Sequence, residues 1–230
     1  MKTAFIIRLH YQKSDPKWPW RLAYFQAMVL PKLLAQTDQD FDICVRVNDH
    51  HAEQVQALSD RIKIFTVKRQ HRHYVKPGYV YKRRKYFVDF LDFNMTQGLE
   101  KYDIQIGIDS DDMILRDDFV ERVKLECMRK PDKSLHIGFQ PHIFQPSTLR
   151  MFKCPVEYND GRGSPVFVLY QPLDVPFYNK KYVFAYEDSH LKLPGYMDRK
   201  IRIEEDFCCY SVHDNNASTG LPKYPEQIMI

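Results

Sequence analysis

The chain has 230 residues, 44% hydrophobic and 28% charged, with a net charge of +4. That balance excludes a disordered chain and is enough to bury a sizeable core. No apolar run approaches the roughly 20 residues of a membrane-spanning helix, and so small a positive charge does not mark a nucleic-acid-binding protein.

Five cysteines (Cys44, Cys127, Cys154, Cys208, Cys209) lack any C-x-x-C spacing, which points to free buried thiols in a reducing compartment. The opening MKTAFIIRLHYQ is interrupted by Arg8 and His10, unlike a cleavable signal peptide. The expectation is a cytoplasmic protein whose apolar start is its first strand. Aromatics at 14% serve mainly to fill the edges of the core.

In chain order, Thr3–Leu9 reads as a strand buried on both faces, because Ala4, Phe5, Ile6 and Ile7 are apolar in succession. A helix is predicted over about Trp20–Leu34, with Leu22, Phe25, Val29 and Leu33 on one face, and Pro31 is expected to kink or split it. Phe41–Val47 is a second strand, Ala52–Leu58 a short helix and Ile62–Val67 a third strand. Lys68–Tyr81 is a basic, aperiodic loop. Lys82–Leu99 is a helix opened by Lys82, Arg83, Arg84 and Lys85, and Ile104–Ile108 is a fourth strand. Asp117–Met128 is a helix whose acidic start suits its dipole. The βαβα alternation predicts an α/β protein built on a mostly parallel central sheet flanked by helices.

Beyond Pro131 the texture changes to short strands: Leu135–Phe139, Ile143–Leu149, Pro165–Tyr170 and Phe207–Val212. A turn falls at Asn159–Gly163 and a short helix at Tyr186–Leu191. This half reads as an extension of the same sheet within a single domain spanning 1–230.

The stretch YDIQIGIDSDDMIL carries the chemistry. An apolar strand ends in Asp109, Ser110, Asp111 and Asp112, and carboxylates so close repel one another and raise one another's pKa. A hard divalent cation relieves that crowding, and open α/β sheets bind ligands at the carboxyl ends of their strands. The competing interpretation is a solvated acidic turn capping the next helix, although Asp117 and Asp118 stand nearer to that helix start.

Three segments carry a resemblance to a known family. VLPKLLAQTDQDFDICVRVND (Val29–Asp49) resembles the "P-S-L-x-x-Q-T" segment of GT-A-fold glycosyltransferases, and IGIDSDDMI and YSVHDNNAS (Tyr210–Ser218) resemble the "R-L-D-x-D-D-A" and "H-G-x-N" segments of the rhamnosyltransferase family among them. The resemblance implies a GT-A-like, Rossmann-like sheet with a nucleotide-sugar-binding subregion over 1–130. A smaller mixed-β subregion over 131–230 would bind the acceptor and supply a metal ligand.

The resemblance further implies transfer of a sugar from a nucleotide-sugar donor to a glycan or glycolipid acceptor of a surface polysaccharide pathway, assisted by Mn²⁺ or Mg²⁺. Asp111 and His213 would be metal ligands. Asp112 would be a further ligand or would orient Arg116. Asp109 would hold the ribose, or the metal through water. Asn48 and Asp49 would contact the nucleotide, with Arg8 approaching the same ligand, and Arg84 would bind phosphate. Asp188, with Glu187, resembles the base position, and Glu204, Glu205 and Asp206 form a rival acidic cluster. A metal-dependent phosphohydrolase and a non-catalytic nucleotide-sugar- or carbohydrate-binding module are the alternatives. No nucleic-acid partner and no integral membrane segment are expected, and peripheral membrane contact is compatible with a glycolipid acceptor.

Overall fold

The computed structural model of the chain describes residues 1–9, 15–67, 99, 101–147, 149–153, 166–173, 195 and 197–211. The first strand, β1 (Thr3–Arg8), shows why an unbroken apolar run forms there: Phe5 and Ile7 enter the larger hydrophobic cluster while Ala4 and Ile6 enter a second one. Alternate side chains of a strand point to opposite faces, so both faces must be apolar. The same division holds for β2 (Asp42–Asn48), with Val45 in one cluster and Cys44 in the other.

Strands β1, β2, β3 (Ile62–Val67) and β4 (Ile104–Asp109) pair in parallel, in the spatial order β3-β2-β1-β4. Successive strands extend one way from β1 until β4 returns to its other side. The crevice beyond the carboxyl ends of β1 and β4 is therefore the switch point where open sheets receive ligands.

Between β1 and β2 the predicted helix forms in three pieces: α1 (Trp18–Tyr24), a π-helical turn (Phe25–Val29) and α2 (Leu30–Leu34). Pro31 explains the break. It has no N–H, and its ring would strike the carbonyl one turn earlier. The chain widens just upstream instead, the Leu30 N–H bonding back five residues to Phe25. After β2 come a 3₁₀ turn (Asp49–His51) and α3 (Ala52–Gln56). The predicted basic loop and the helix over Lys82–Leu99 lie almost wholly outside the described residues.

The second half adds mixed strands to the same sheet. After the two-residue β5 (Met113–Ile114) and α4 (Phe119–Met128) come β6 (Leu135–Gln145), β7 (Arg150–Lys153), β8 (Val166–Tyr170) and β9 (Arg199–Ser211). The hydrogen-bonded order continues β4-β8-β6-β9-β5, with β7 on β6. The segments expected as separate strands at Leu135–Phe139 and Ile143–Leu149 are one strand with an irregularity between Phe139 and Pro141, and Leu149 instead takes a positive φ of 54° in the turn to β7. The NDGRG turn and the helix expected at Tyr186–Leu191 lie outside the described residues.

Strands β4 and β5 stand four places apart in this order, yet only three residues join them. Four spacings of a flat sheet would be about 19 Å, while that linker spans at most about 15 Å. The sheet must curl, and the curl carries the end of β9 back to the end of β4.

Gly107 on β4 faces Phe167 on β8 in register, and a Cβ there would fall under 3 Å from three ring carbons. The glycine exists to admit that ring.

Candidate active site

The acidic sequence forms a tight turn, closed by the Asp112 N–H donating to the Asp109 carbonyl at 3.1 Å. Parallel pairing sets Arg8 beside Asp109 at the ends of β1 and β4. The Arg8 Nη2 donates to both Asp109 oxygens, at 2.7 and 2.9 Å, and Nε donates at 3.0 Å. Both side chains are partly exposed, 41% and 35%, so this pair borders solvent.

Asp111 meets a different cation. The Arg21 Nη1 on α1 forms an ion pair with Asp111 Oδ2, with the side chains only 4% and 12% exposed. Trp18, Arg21 and Tyr24 are the buried residues of α1, at three-residue spacing, so one helix face points Arg21 and Tyr24 inward together.

Asp112 is 1% exposed. Its Oδ1 accepts the Ser211 N–H at 3.2 Å, while Oδ2 has no hydrogen-bond partner among the described residues. Burial, and then the negative charges of Asp111 and Asp109, push this carboxyl well above the usual carboxylate range, against the opposing pull of Ser211 and Arg21. The Tyr24 hydroxyl lies 2.7 Å from Ser211 Oγ, and burial pushes its phenol up to about 12. First helix, acidic turn and last strand thus meet at one point.

Asn48 is buried at the end of β2, and Asp49 is exposed at the start of the following turn. Beside them His51 stacks on Trp18, with ring centres 3.6 Å apart. The suggestion that Asp112 orients Arg116 is not what forms: Arg116 binds Asp118 at 2.5 and 2.8 Å and reaches Glu205 at 3.5 Å. Glu205, from the rival acidic cluster, also receives Arg122 at 3.0 Å, so it serves a surface ion-pair network.

The expected acidic cap needs a similar correction. Asp118 occupies the N-cap of α4 but makes no capping bond, because Arg116 holds its carboxylate. Gln36 caps the helix instead. Its Oε1 accepts the Val120 N–H at 3.1 Å, and its Nε2 donates to the Arg116 carbonyl at 2.9 Å. Gln36 and Thr37 therefore tie α2 to the segment that follows the acidic turn. Arg84, Glu187, Asp188 and His213 lie outside the described residues. Arg21, Tyr24, Ser211 and Gln36 are the site residues that sequence reasoning missed. The one available signal was an Arg among the aromatics of a core-facing helix.

The donors suit a hard divalent ion: two neighbouring carboxylates, one with an oxygen lacking any hydrogen-bond donor among the described residues. Among the described residues no three His, Cys, Asp or Glu gather into a metal-ligating group, and β9 ends at Ser211, two residues before His213.

TarS from S. aureus matches the fold at 13% identity with a TM-score of 0.53, over 92% of this chain and 37% of that one. A structure of its residues 1–349 matches at 11% identity and a TM-score of 0.51, over 92% of this chain and 60% of that one. The chain thus spans less than two thirds of either, and the likeness is one of fold, which is GT-A-like. No curated protein sequence matches. Residues 10–140, more than half of the chain, match the family described as "Putative rhamnosyl transferase", and the chain belongs to that glycosyltransferase family.

Proposed function

We propose that the chain transfers a sugar from a nucleotide-sugar donor to a glycan or glycolipid acceptor, releasing a nucleoside diphosphate, with a divalent cation held at the Asp109–Asp112 turn. One observation carries the reading. Asp112, buried beside Asp111 at the switch point of the sheet, keeps an oxygen with no hydrogen-bond donor among the described residues. A buried carboxylate oxygen left so is costly unless something positive meets it.

Asp111 and Asp112, with His213 as suggested by the family resemblance, would hold Mn²⁺ or Mg²⁺. Bound there, the ion supplies Lewis-acid stabilisation of the charge that develops on the leaving diphosphate. Asp109, braced by Arg8, faces the ribose. Asn48 and Asp49 border the nucleotide at the end of β2, and Arg84 binds phosphate. For a transfer with inversion, Asp188, next to Glu187, accepts the proton of the acceptor hydroxyl as that oxygen bonds to the anomeric carbon and the bond to the diphosphate breaks. Among the described residues no helix is long and apolar enough to cross a membrane.

The test incubates purified protein with Mn²⁺, candidate acceptors and a panel of nucleotide sugars that begins with rhamnose donors, following nucleoside diphosphate release. Turnover that needs Mn²⁺ and disappears in Asp111→Ala supports the proposal. Phosphate release from simple phosphomonoesters would favour a hydrolase, and donor binding by calorimetry without product would favour a binding module. An Asp111→Ala variant with unchanged metal affinity would overturn the metal assignment.

A further inference from the structure

We propose that Arg21 is a built-in counter-ion that competes with a divalent cation for Asp111, so that cation and nucleoside diphosphate bind the site together far better than the cation binds alone. The inference rests on the metal site proposed above and adds a determinant of its affinity.

The two buried carboxylates of the turn are differently provided for. Asp111 already holds a cation, the Arg21 guanidinium, whereas Asp112 Oδ2 has no donor among the described residues. The exposure of the pair makes the difference count. Arg8 and Asp109 border water, which screens them and can replace either partner. Arg21 and Asp111 are 3% and 8% exposed, so neither can exchange its partner for bulk water. Arg21 is also held in place, on the inward face of α1 with its guanidinium over the Trp20 ring at 5.6 Å.

A divalent ion drawing on Asp111 must therefore share or displace this guanidinium, and it meets a positive charge a few ångströms away in a medium that screens poorly. That repulsion weakens binding of the metal alone. Once the metal is in place, the same excess positive charge favours a diphosphate, since ion and guanidinium together face its negative oxygens. Arg21 thereby shifts affinity from the bare metal to the metal–diphosphate pair.

The experiment measures Mn²⁺ binding by electron paramagnetic resonance, and UDP, GDP and dTDP binding with and without Mn²⁺ by calorimetry, on wild type, Arg21→Met, Arg21→Lys and Asp111→Ala. Arg21→Met is expected to bind Mn²⁺ alone at least about tenfold more tightly, and to lose at least about tenfold of the Mn²⁺-dependent gain in diphosphate affinity. Arg21→Lys, which keeps the charge, should remain near wild type in both. Should Arg21→Met fold poorly, Arg21→Gln carries the same expectation.

A purely structural Arg21 would weaken both affinities together with the melting temperature, and that outcome overturns the proposal. Asp111-dependent Mn²⁺ binding in wild type that is untouched in Arg21→Met overturns it while leaving the metal site standing. Loss of any Asp111-dependent Mn²⁺ binding in wild type removes both.

Discussion

Replacing Asp112 by asparagine removes an ionisable group and keeps its shape, including an acceptor for the Ser211 N–H. In the metal-free protein the Asp112 carboxyl is raised above its ordinary value of 3.8, first by burial and then by Asp111 and Asp109. The folded chain therefore holds that proton more tightly than the unfolded chain does. The stability this confers is fully present below about pH 4 and is lost as the pH rises through the folded-state value. At pH 7.5 the wild type carries the cost, and Asp112→Asn does not. Each tenfold difference in proton affinity is worth about 1.4 kcal/mol, or roughly 3–6 °C in a chain of this size. Melted in EDTA, Asp112→Asn is thus expected to exceed wild type by at least about 3 °C at pH 7.5, with the gap closing to within about 1 °C at pH 4. Saturating Mn²⁺ should reverse the order. A ligand at a hundred times its Kd stabilises by about 2.7 kcal/mol, and in the proposed metal site only wild type keeps both carboxylates. Scanning calorimetry across pH, with and without Mn²⁺, checks both halves. A variant less stable than wild type by the same margin at both pH values would mean that the carboxylate is ionised and stabilising in the bare protein, and the reasoning would fail.

Two further outcomes follow from neighbouring geometry. Arg8→Ala removes a pair more than one third exposed on both sides, so the stability loss should stay within about 1 kcal/mol. Donor KM should nonetheless rise about tenfold, because Asp109 loses its brace, a split visible by comparing urea unfolding with steady-state kinetics. Gly107→Ala pushes a methyl group into the buried Phe167 ring and should destabilise by about 1–3 kcal/mol. Adding Phe167→Leu should recover much of that loss in the same urea titration, and failure to do so would place the strain elsewhere.

Much of the first half of the fold was legible in the chain. Strands with both faces apolar and short polar breaks leave little choice, so β1 to β4 fall within a residue or two of the expected bounds. Pro31 also announced its interruption, although periodicity could not say that a π-helical turn would absorb it. The long strands β6 and β9 were read too short. Pro141, Glu204 and Glu205 interrupt the apolar patterning where the β6–β9 register shifts, but pairing resumes beyond them, because β9 is held by a neighbour more than 60 residues earlier. At the site, the acidic turn stood out because three carboxylates in four residues are chemically conspicuous. Its partners did not. Arg21 lies 90 residues from Asp111, and its aromatic helical neighbours are the one local hint that it is not a surface arginine. Gln36 shows the same limit in reverse: its segment carried the family resemblance, but its work as the cap of α4 emerged only in three dimensions.

The closure of the acidic turn by Ser211 also orders events during synthesis. The bond from Ser211 to Asp112 spans 99 residues, and the contact between Tyr24 and Ser211 spans 187. The parallel strands β1 to β4 can pair while the chain is still emerging from the ribosome, but among the described residues the Asp112 carboxylate gains its hydrogen-bond donor, the Ser211 N–H, when β9 arrives. Contacts this distant along the chain are slow to close, which makes docking of the last strand the step at which folding and acquisition of the site coincide.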